Sequence, residues 1–412
     1  MFAYPMRNLS IPKRFGGRIA AIVIVAALFP TATAGAAGPP ESFSDSVTFI
    51  GDSVTAGFGY CGTENPNEVT CNPNEEMEDA WKEGEKSSLE ACAPKHSPKA
   101  PPSDTCSNDN YNGKPWKQGP WKPGKDAPDV AYPFQLAKDQ SPTKPASVSD
   151  WAVSGATPTE WDPSSPLLGK LLPSLKSQYV GMTLGANPLL SDFVDIGIAG
   201  FGEVGSCVKS TGYKEWVLGR WYAGPLKKPV ECLHKRWKEL KQTEHLVRIY
   251  DALLGQGDRV VVLGYYRDCN WSFGNWQPEP NPLSGPSKGY SCKSQKRPVS
   301  PSQPKEITQW EQAIAVGSAL DTMVRNAVLK AKQAAKKKWP GTDRADNIIF
   351  TKPDDGAWEN HQATAADTWV FRNDTWIHPS RAGAANLAQT VAQAMCASFG
   401  HWCVSNGELS WE

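Results

Sequence analysis

Five short apolar and β-branched runs punctuate the chain: Val47–Ile50, Ser147–Val153, Tyr179–Leu184, Arg259–Leu263 and Asn347–Thr351. Each reads as a strand. Between and after them lie spans with helical spacing: Ala131–Lys138, Cys232–Leu254, Glu306–Lys338 and Ala382–Ala397. In the second span Leu233, Trp237, Leu240, Leu246, Ile249 and Leu253 recur at helical intervals. The third ends on Lys336, Lys337 and Lys338, a charge that suits a helix C-terminus. Strands that are apolar throughout and alternate with helices describe an α/β fold, a parallel sheet covered on both faces. In such sheets ligands sit beyond the carboxyl ends of the strands. Those ends are Gly51-Asp52-Ser53, Ser154-Gly155-Ala156-Thr157, Gly185-Ala186-Asn187-Pro188 and Gly264-Tyr265-Tyr266.

Two irregular stretches interrupt the alternation, at about residues 60–129 and 270–304. The first is rich in Pro, Gly, Asn, Lys and Trp and carries four cysteines; the second is rich in Pro and Ser. A long irregular stretch inside a compact domain usually covers or borders a site. Neither an internal repeat nor a linker is visible, so residues 38–412 read as a single domain with two insertions.

The N-terminus reads as an export signal of residues 1–34, cleaved near 34–37. Arg7, Lys13, Arg14 and Arg18 precede the apolar run Ile19–Phe29, which is too short to span a bilayer comfortably, and small residues follow. An uncleaved anchor is the alternative; stable membrane insertion after processing is not expected. Ten cysteines behind an export signal point to disulfides in a secreted, extracellular protein. Pairing neighbours gives Cys61–Cys71, Cys92–Cys106, Cys207–Cys232, Cys269–Cys292 and Cys396–Cys403. The 43 basic and 43 acidic residues cancel, which gives no electrostatic case for a nucleic-acid partner. No Cys-x-x-Cys or His-Glu-x-x-His occurs, so no metal site and no cofactor are expected.

Acyl transfer by a serine needs a hydroxyl, a histidine to take its proton, a group to orient that histidine, and donors for the oxyanion. Ser53 offers the hydroxyl at a strand end where a helix starts. Gly155 can bring a backbone N–H close to a ligand, and Asn187 offers a side-chain amide. His378 sits just before the last helix. Each has a blander reading: Asp52 or Ser53 as a helix N-cap, Gly155 and Gly185 as turn residues, His378 as a surface residue at a helix start. The other histidines, His96, His234, His245, His361 and His401, have no nameable partner and read as structural or exposed.

Four blocks in order resemble the SGNH (GDSL-type) hydrolases: Gly51-Asp52-Ser53, then Gly155 within Ala152–Thr157, then Gly185-Ala186-Asn187, then His378-Pro379 with Gly383. The resemblance spans Val47 to about Ala394. It implies a flavodoxin-like three-layer α/β/α sandwich and hydrolysis of carboxylic esters. It also implies roles: Ser53 as nucleophile, His378 as general base, and an oxyanion hole of the Ser53 and Gly155 N–H groups with the Asn187 amide. Export and disulfides look most like the secreted actinobacterial-type lipases and esterases. Two positions depart from the pattern. The Asp that usually lies three residues before the histidine is Thr375 here, leaving Asp374 or a carbonyl of Thr375 or Trp376 to orient the imidazole. Pro188 stands where the family often has Asp.

The expected partner is an ester substrate, a lipid or an acylated carbohydrate, met by a monomer. Acyltransfer to an alcohol or polysaccharide deacetylation falls within the same resemblance. The reading from another class is a secreted, non-catalytic binding module that kept the fold.

Overall fold

The apolar runs become strands because both of their faces are covered. In β1 (Ser46–Gly51) the side chains of Val47, Phe49 and Ile50 are fully buried on alternating sides. The computed structural model describes residues 46–56, 116–118, 132–138, 147–152, 156–175, 177–189, 207, 226–269, 292–293, 296–300, 303–362, 369, 378–379 and 381–400. These belong to a unit spanning Pro40–Glu412. The further strands are β2 (Trp116–Gln118), β3 (Ser147–Asp150), β4 (Tyr179–Thr183), β5 (Arg259–Leu263), β6 (Lys296–Ser300), β7 (Gln303–Thr308) and β8 (Ile348–Thr351).

One sheet runs in the order β2-β3-β1-β4-β5-β8. All neighbours in it are parallel except the edge strand β2, which is antiparallel to β3. Without β2, the five parallel strands lie in the order second, first, third, fourth, fifth, which is the flavodoxin-like winding. The chain turns outward in both directions from β1, so the switch point falls between β1 and its neighbours. The register sets Ile50 beside Met182 and Gly51 beside Thr183, so β1 and β4 end level with each other.

The helices are α1 (Ser53–Ala56), α2 (Tyr132–Lys138), α3 (Pro166–Leu171), α4 (Lys227–Glu239), α5 (Gln242–Gln256), α6 (Gln309–Lys338), α7 (Asp355–Asn360) and α8 (Arg381–Phe399). α2 and α8 pack on each other and on the sheet. α4, α5 and α6 pack together, with α5 against β5 and α6 against β8. This is the α/β/α sandwich. The core is continuous from Val47 and Tyr179 through Val260 to Val324 and Leu387.

Several spans differ from the sequence reading, each for a local reason. Cys232–Leu254 is not one helix. α4 and α5 are separate because Lys241 takes a left-handed conformation at φ 51°, and the Trp237 indole N–H donates to Thr243 Oγ1 at 2.8 Å across the corner. The long helix starts at Gln309 rather than Glu306. Residues 303–308 pair with 296–300 in an antiparallel hairpin, and Thr308 forms a capping box with Glu311. The second insertion therefore ends in a β-hairpin. β3 stops at Asp150, short of Val153, where the Asp150 carboxylate accepts the Ala152 N–H at 2.9 Å.

Of the five cysteine pairings, Cys207–Cys232 and Cys269–Cys292 are disulfides, and Cys396 is disulfide-bonded. The predicted partner Cys403 and the pairs Cys61–Cys71 and Cys92–Cys106 lie outside the described residues. So do the export signal and, apart from β2, the first insertion. Among the described residues no helix is long and apolar enough to cross a membrane, and no group of His, Cys, Asp or Glu could hold a metal ion.

Candidate active site

The site is built where β1 and β4 end. Gly51 closes β1 with φ +145°, a conformation that L side chains rarely adopt, and a Cβ there would overlap the Thr183 carbonyl oxygen. The chain then turns through Asp52 into α1, with the Asp52 N–H donating to Thr183 O at 3.0 Å. Ser53 is the first residue of that helix, and its side chain is largely covered. Its Oγ lies 2.7 Å from Nε2 of His378, a residue 325 positions away in the sequence. His378 stands just ahead of α8, whose start is pinned by packing of Gly383 against Trp369 and Trp358.

Asp52 carries the N-cap role that a bland reading would give it, and more. Its Oδ1 accepts the Val54 N–H at 3.0 Å, the usual cap bond. Its Oδ2 accepts the hydroxyl of Tyr265, which follows β5. The carboxyl is nearly inaccessible. Burial pushes it up to about 6, against the pull of Tyr265, the Val54 N–H and the nearby His378. Burial, with Asp52 beside it, also pushes the Tyr265 phenol well up, so the phenol stays protonated and donates.

The chain leaves β4 through Gly185, with φ +134°, where a Cβ would press on Trp237 and Val324. The following Ala186 N–H donates to the Tyr265 oxygen at 2.9 Å. Asn187 begins a helical segment and its Nδ2 donates to Ala156 O at 2.8 Å. An amide nitrogen has two protons, and this bond uses one. Pro188 lies in the first turn of that segment, where a missing N–H costs little. The departure at 188 therefore leaves the Asn187 turn intact.

The loop after β3 is tied to both turns. The Trp161 indole N–H donates to Gly51 O at 2.9 Å. Asp162 accepts Arg248 Nε at 2.6 Å and lies 2.9 Å from His245 Nδ1, so the loop is also anchored to α5. Close to Ser53 in sequence, Thr55 shares with Thr183 and Tyr132 a buried cluster of hydroxyl contacts at 3.3 Å.

The structure thus brings Ser53 and His378 together and sets Asn187 beside the loop that follows β3. Gly155 and the three candidates for orienting His378, namely Asp374, Thr375 and Trp376, lie outside the described residues. Sequence reasoning missed Tyr265, Trp161 and the Asp162 partner of His245. Tyr265 carried a signal, because it sits two residues past the end of β5, at the carboxyl edge of the parallel sheet.

No protein-family model matches this chain, and no curated protein matches it. Among solved structures it is similar to Axe2, an acetylxylan esterase from Geobacillus stearothermophilus. The identity is 14% and the TM-score 0.34, over 89% of this chain and 100% of that one. A single-substitution variant of that enzyme, an acetyl-xylooligosaccharide esterase, gives 14% and 0.31 over the same shares. Likeness of that size fixes neither the fold nor the chemistry, which rest on strand order and side-chain geometry.

Proposed function

We propose that this protein is a serine hydrolase that cleaves carboxylic esters through an acyl-enzyme on Ser53. The observation that carries the reading is the 2.7 Å contact between Ser53 Oγ and His378 Nε2 at the switch point of a flavodoxin-like sheet. A hydroxyl and an imidazole from opposite ends of the chain meet at a strand end, which is what a nucleophile and its base require. The four sequence blocks resembling the SGNH hydrolases supply the same two residues.

Ser53 Oγ attacks the acyl carbon while its proton passes to His378 Nε2. The carbonyl oxygen becomes an oxyanion facing the Ser53 and Gly155 N–H groups and the Asn187 amide. Collapse of this intermediate breaks the ester C–O bond, and the leaving alkoxide takes the proton from His378. Water then repeats the sequence on the acyl-enzyme, releasing the acid and Ser53. Asp374 or a neighbouring carbonyl holds the imidazole.

Treatment of the mature protein with a fluorophosphonate should add one adduct, mapped by mass spectrometry to Ser53. A p-nitrophenyl ester series from acetate to palmitate should be hydrolysed. The preferred length separates a deacetylase-like pocket from a lipase-like groove. No adduct and no turnover would leave the binding-module reading.

Asn187→Ala should lower kcat by about 10²–10³ while KM moves little, since it removes a donor that acts on the oxyanion. Steady-state kinetics on the best p-nitrophenyl ester checks this. An unchanged kcat would reduce Asn187 to its bond with Ala156. We place the protein outside the cell, because the described disulfides belong to an oxidising compartment.

A further inference from the structure

Three strand ends converge on one phenol. Tyr265, just past β5, donates its O–H to Asp52 just past β1 and accepts the Ala186 N–H in the turn that follows β4. Asp52 immediately precedes Ser53, and Ala186 immediately precedes Asn187. Tyr265 is itself held at its backbone: its N–H donates to Asp321 Oδ1 at 3.1 Å and its carbonyl accepts Arg267 Nη1 at 2.8 Å. Asp52, Tyr265 and Ala186 are all almost fully buried. A buried carboxylate whose two oxygens both accept hydrogen bonds, one residue from a nucleophile, is more than a turn needs: the cap bond to Val54 alone satisfies the helix.

We propose that Tyr265 and Asp52 form a positioning pair for the reaction of Ser53 with His378. The phenol locks the nucleophile turn to the Asn187 turn. It also holds an anionic carboxylate where it favours the imidazolium that forms as His378 takes the Ser53 proton. The assignment rests on the ester-hydrolase reading above. Among the described residues, the titratable groups whose charge reaches Asp52 are His378, Tyr265 on the loop after β5, and Tyr132 on α2. Both tyrosines stay neutral, since burial raises each of them, so the charge opposite Asp52 that changes during the reaction is that of His378. Such an arrangement supplements whichever group binds His378 Nδ1. It suits a chain in which Thr375 occupies the usual position of the orienting Asp.

The test compares Tyr265→Phe, Asp52→Asn and the double variant with wild type, using the best p-nitrophenyl ester and thermal unfolding. Tyr265→Phe keeps the ring and its packing. It should lower kcat by about 10²-fold with KM nearly unchanged, the effect of a small misplacement at the reacting centre. It also removes the hydroxyl that favours ionised Asp52, so the acid limb of kcat/KM should move to higher pH. Asp52→Asn keeps the shape and an acceptor for the phenol but loses the charge; kcat should fall here as well. In that background Tyr265→Phe should shift no acid limb.

A purely structural tie predicts that Asp52→Asn retains the wild-type rate and that Tyr265→Phe leaves the pH profile in place. Either result, or wild-type kcat in Tyr265→Phe, overturns the positioning role while fluorophosphonate labelling of Ser53 continues. Absence of labelling in wild type instead overturns the hydrolase reading, and the pair's role with it.

Discussion

Ser53→Ala should lower kcat on the best p-nitrophenyl ester by about 10⁴–10⁶-fold and abolish fluorophosphonate labelling. Without Oγ there is no atom to carry the acyl group, so the covalent route closes entirely. What remains is water attack assisted by the oxyanion donors. His378→Ala should cost a similar factor, because Oγ at 2.7 Å from Nε2 has no other described acceptor for its proton. The two losses should not multiply. A nucleophile without its base is nearly as inert as no nucleophile, so the double variant should fall no further than the worse single variant. That non-additivity distinguishes a reacting pair from two residues that each support the fold. If the double variant loses the product of the two factors, Ser53 and His378 do not act as a unit. Thermal unfolding of all three proteins should stay close to wild type, since Ser53 lies at a helix start and His378 is only part-buried.

The sheet was legible because parallel strands buried on both faces are apolar without interruption, and Val260 to Leu263 is such a run. Ser53 and His378 were legible as candidates because one follows a strand in Gly51-Asp52-Ser53 and the other directly precedes the last helix, and the structure sets Oγ and Nε2 2.7 Å apart. What was not legible depends on distant pairing. Tyr265 and Asp52 are 213 residues apart, and His245 and Asp162 are 83 apart. Neither pair has a spacing that sequence could flag. The break between α4 and α5 was hidden for a different reason. The helical period of apolar residues runs straight through Lys241, and only the local backbone reveals the corner. The start of α6 was misplaced because a β-pairing with residues 296–300 overrode a helix-compatible Glu306. In each case tertiary contacts decided what local pattern could not.

The largest effect on stability should come from Asp321. Arg267 is 1% exposed and Asp321 8%, and their Nη2–Oδ2 contact is 2.7 Å. The guanidinium crosses α6 at Gly317, where any Cβ would collide with it. Its Nε lies 3.2 Å from Asp355 Oδ1. Burial raises the Asp321 carboxyl above its ordinary value, and Arg267 draws it back. Desolvation therefore consumes much of what the pair gains. Removing one partner leaves the other charge buried with too few partners, and Asp321→Ala should lower the unfolding free energy by about 3–5 kcal/mol. Urea unfolding followed by tryptophan fluorescence measures this. Adding Arg267→Met should recover part of the loss, since no uncompensated cation then remains. It cannot recover all, because the Tyr265 N–H loses its acceptor and Asp355 loses its cation. By contrast Lys227→Ala, in a pair whose side chains are 83% and 61% exposed, should change stability by about 1 kcal/mol or less. A loss below about 1 kcal/mol in Asp321→Ala would show that water reaches Arg267 readily. The buried pair would then not be what fixes the loop carrying Tyr265 to the end of the sheet.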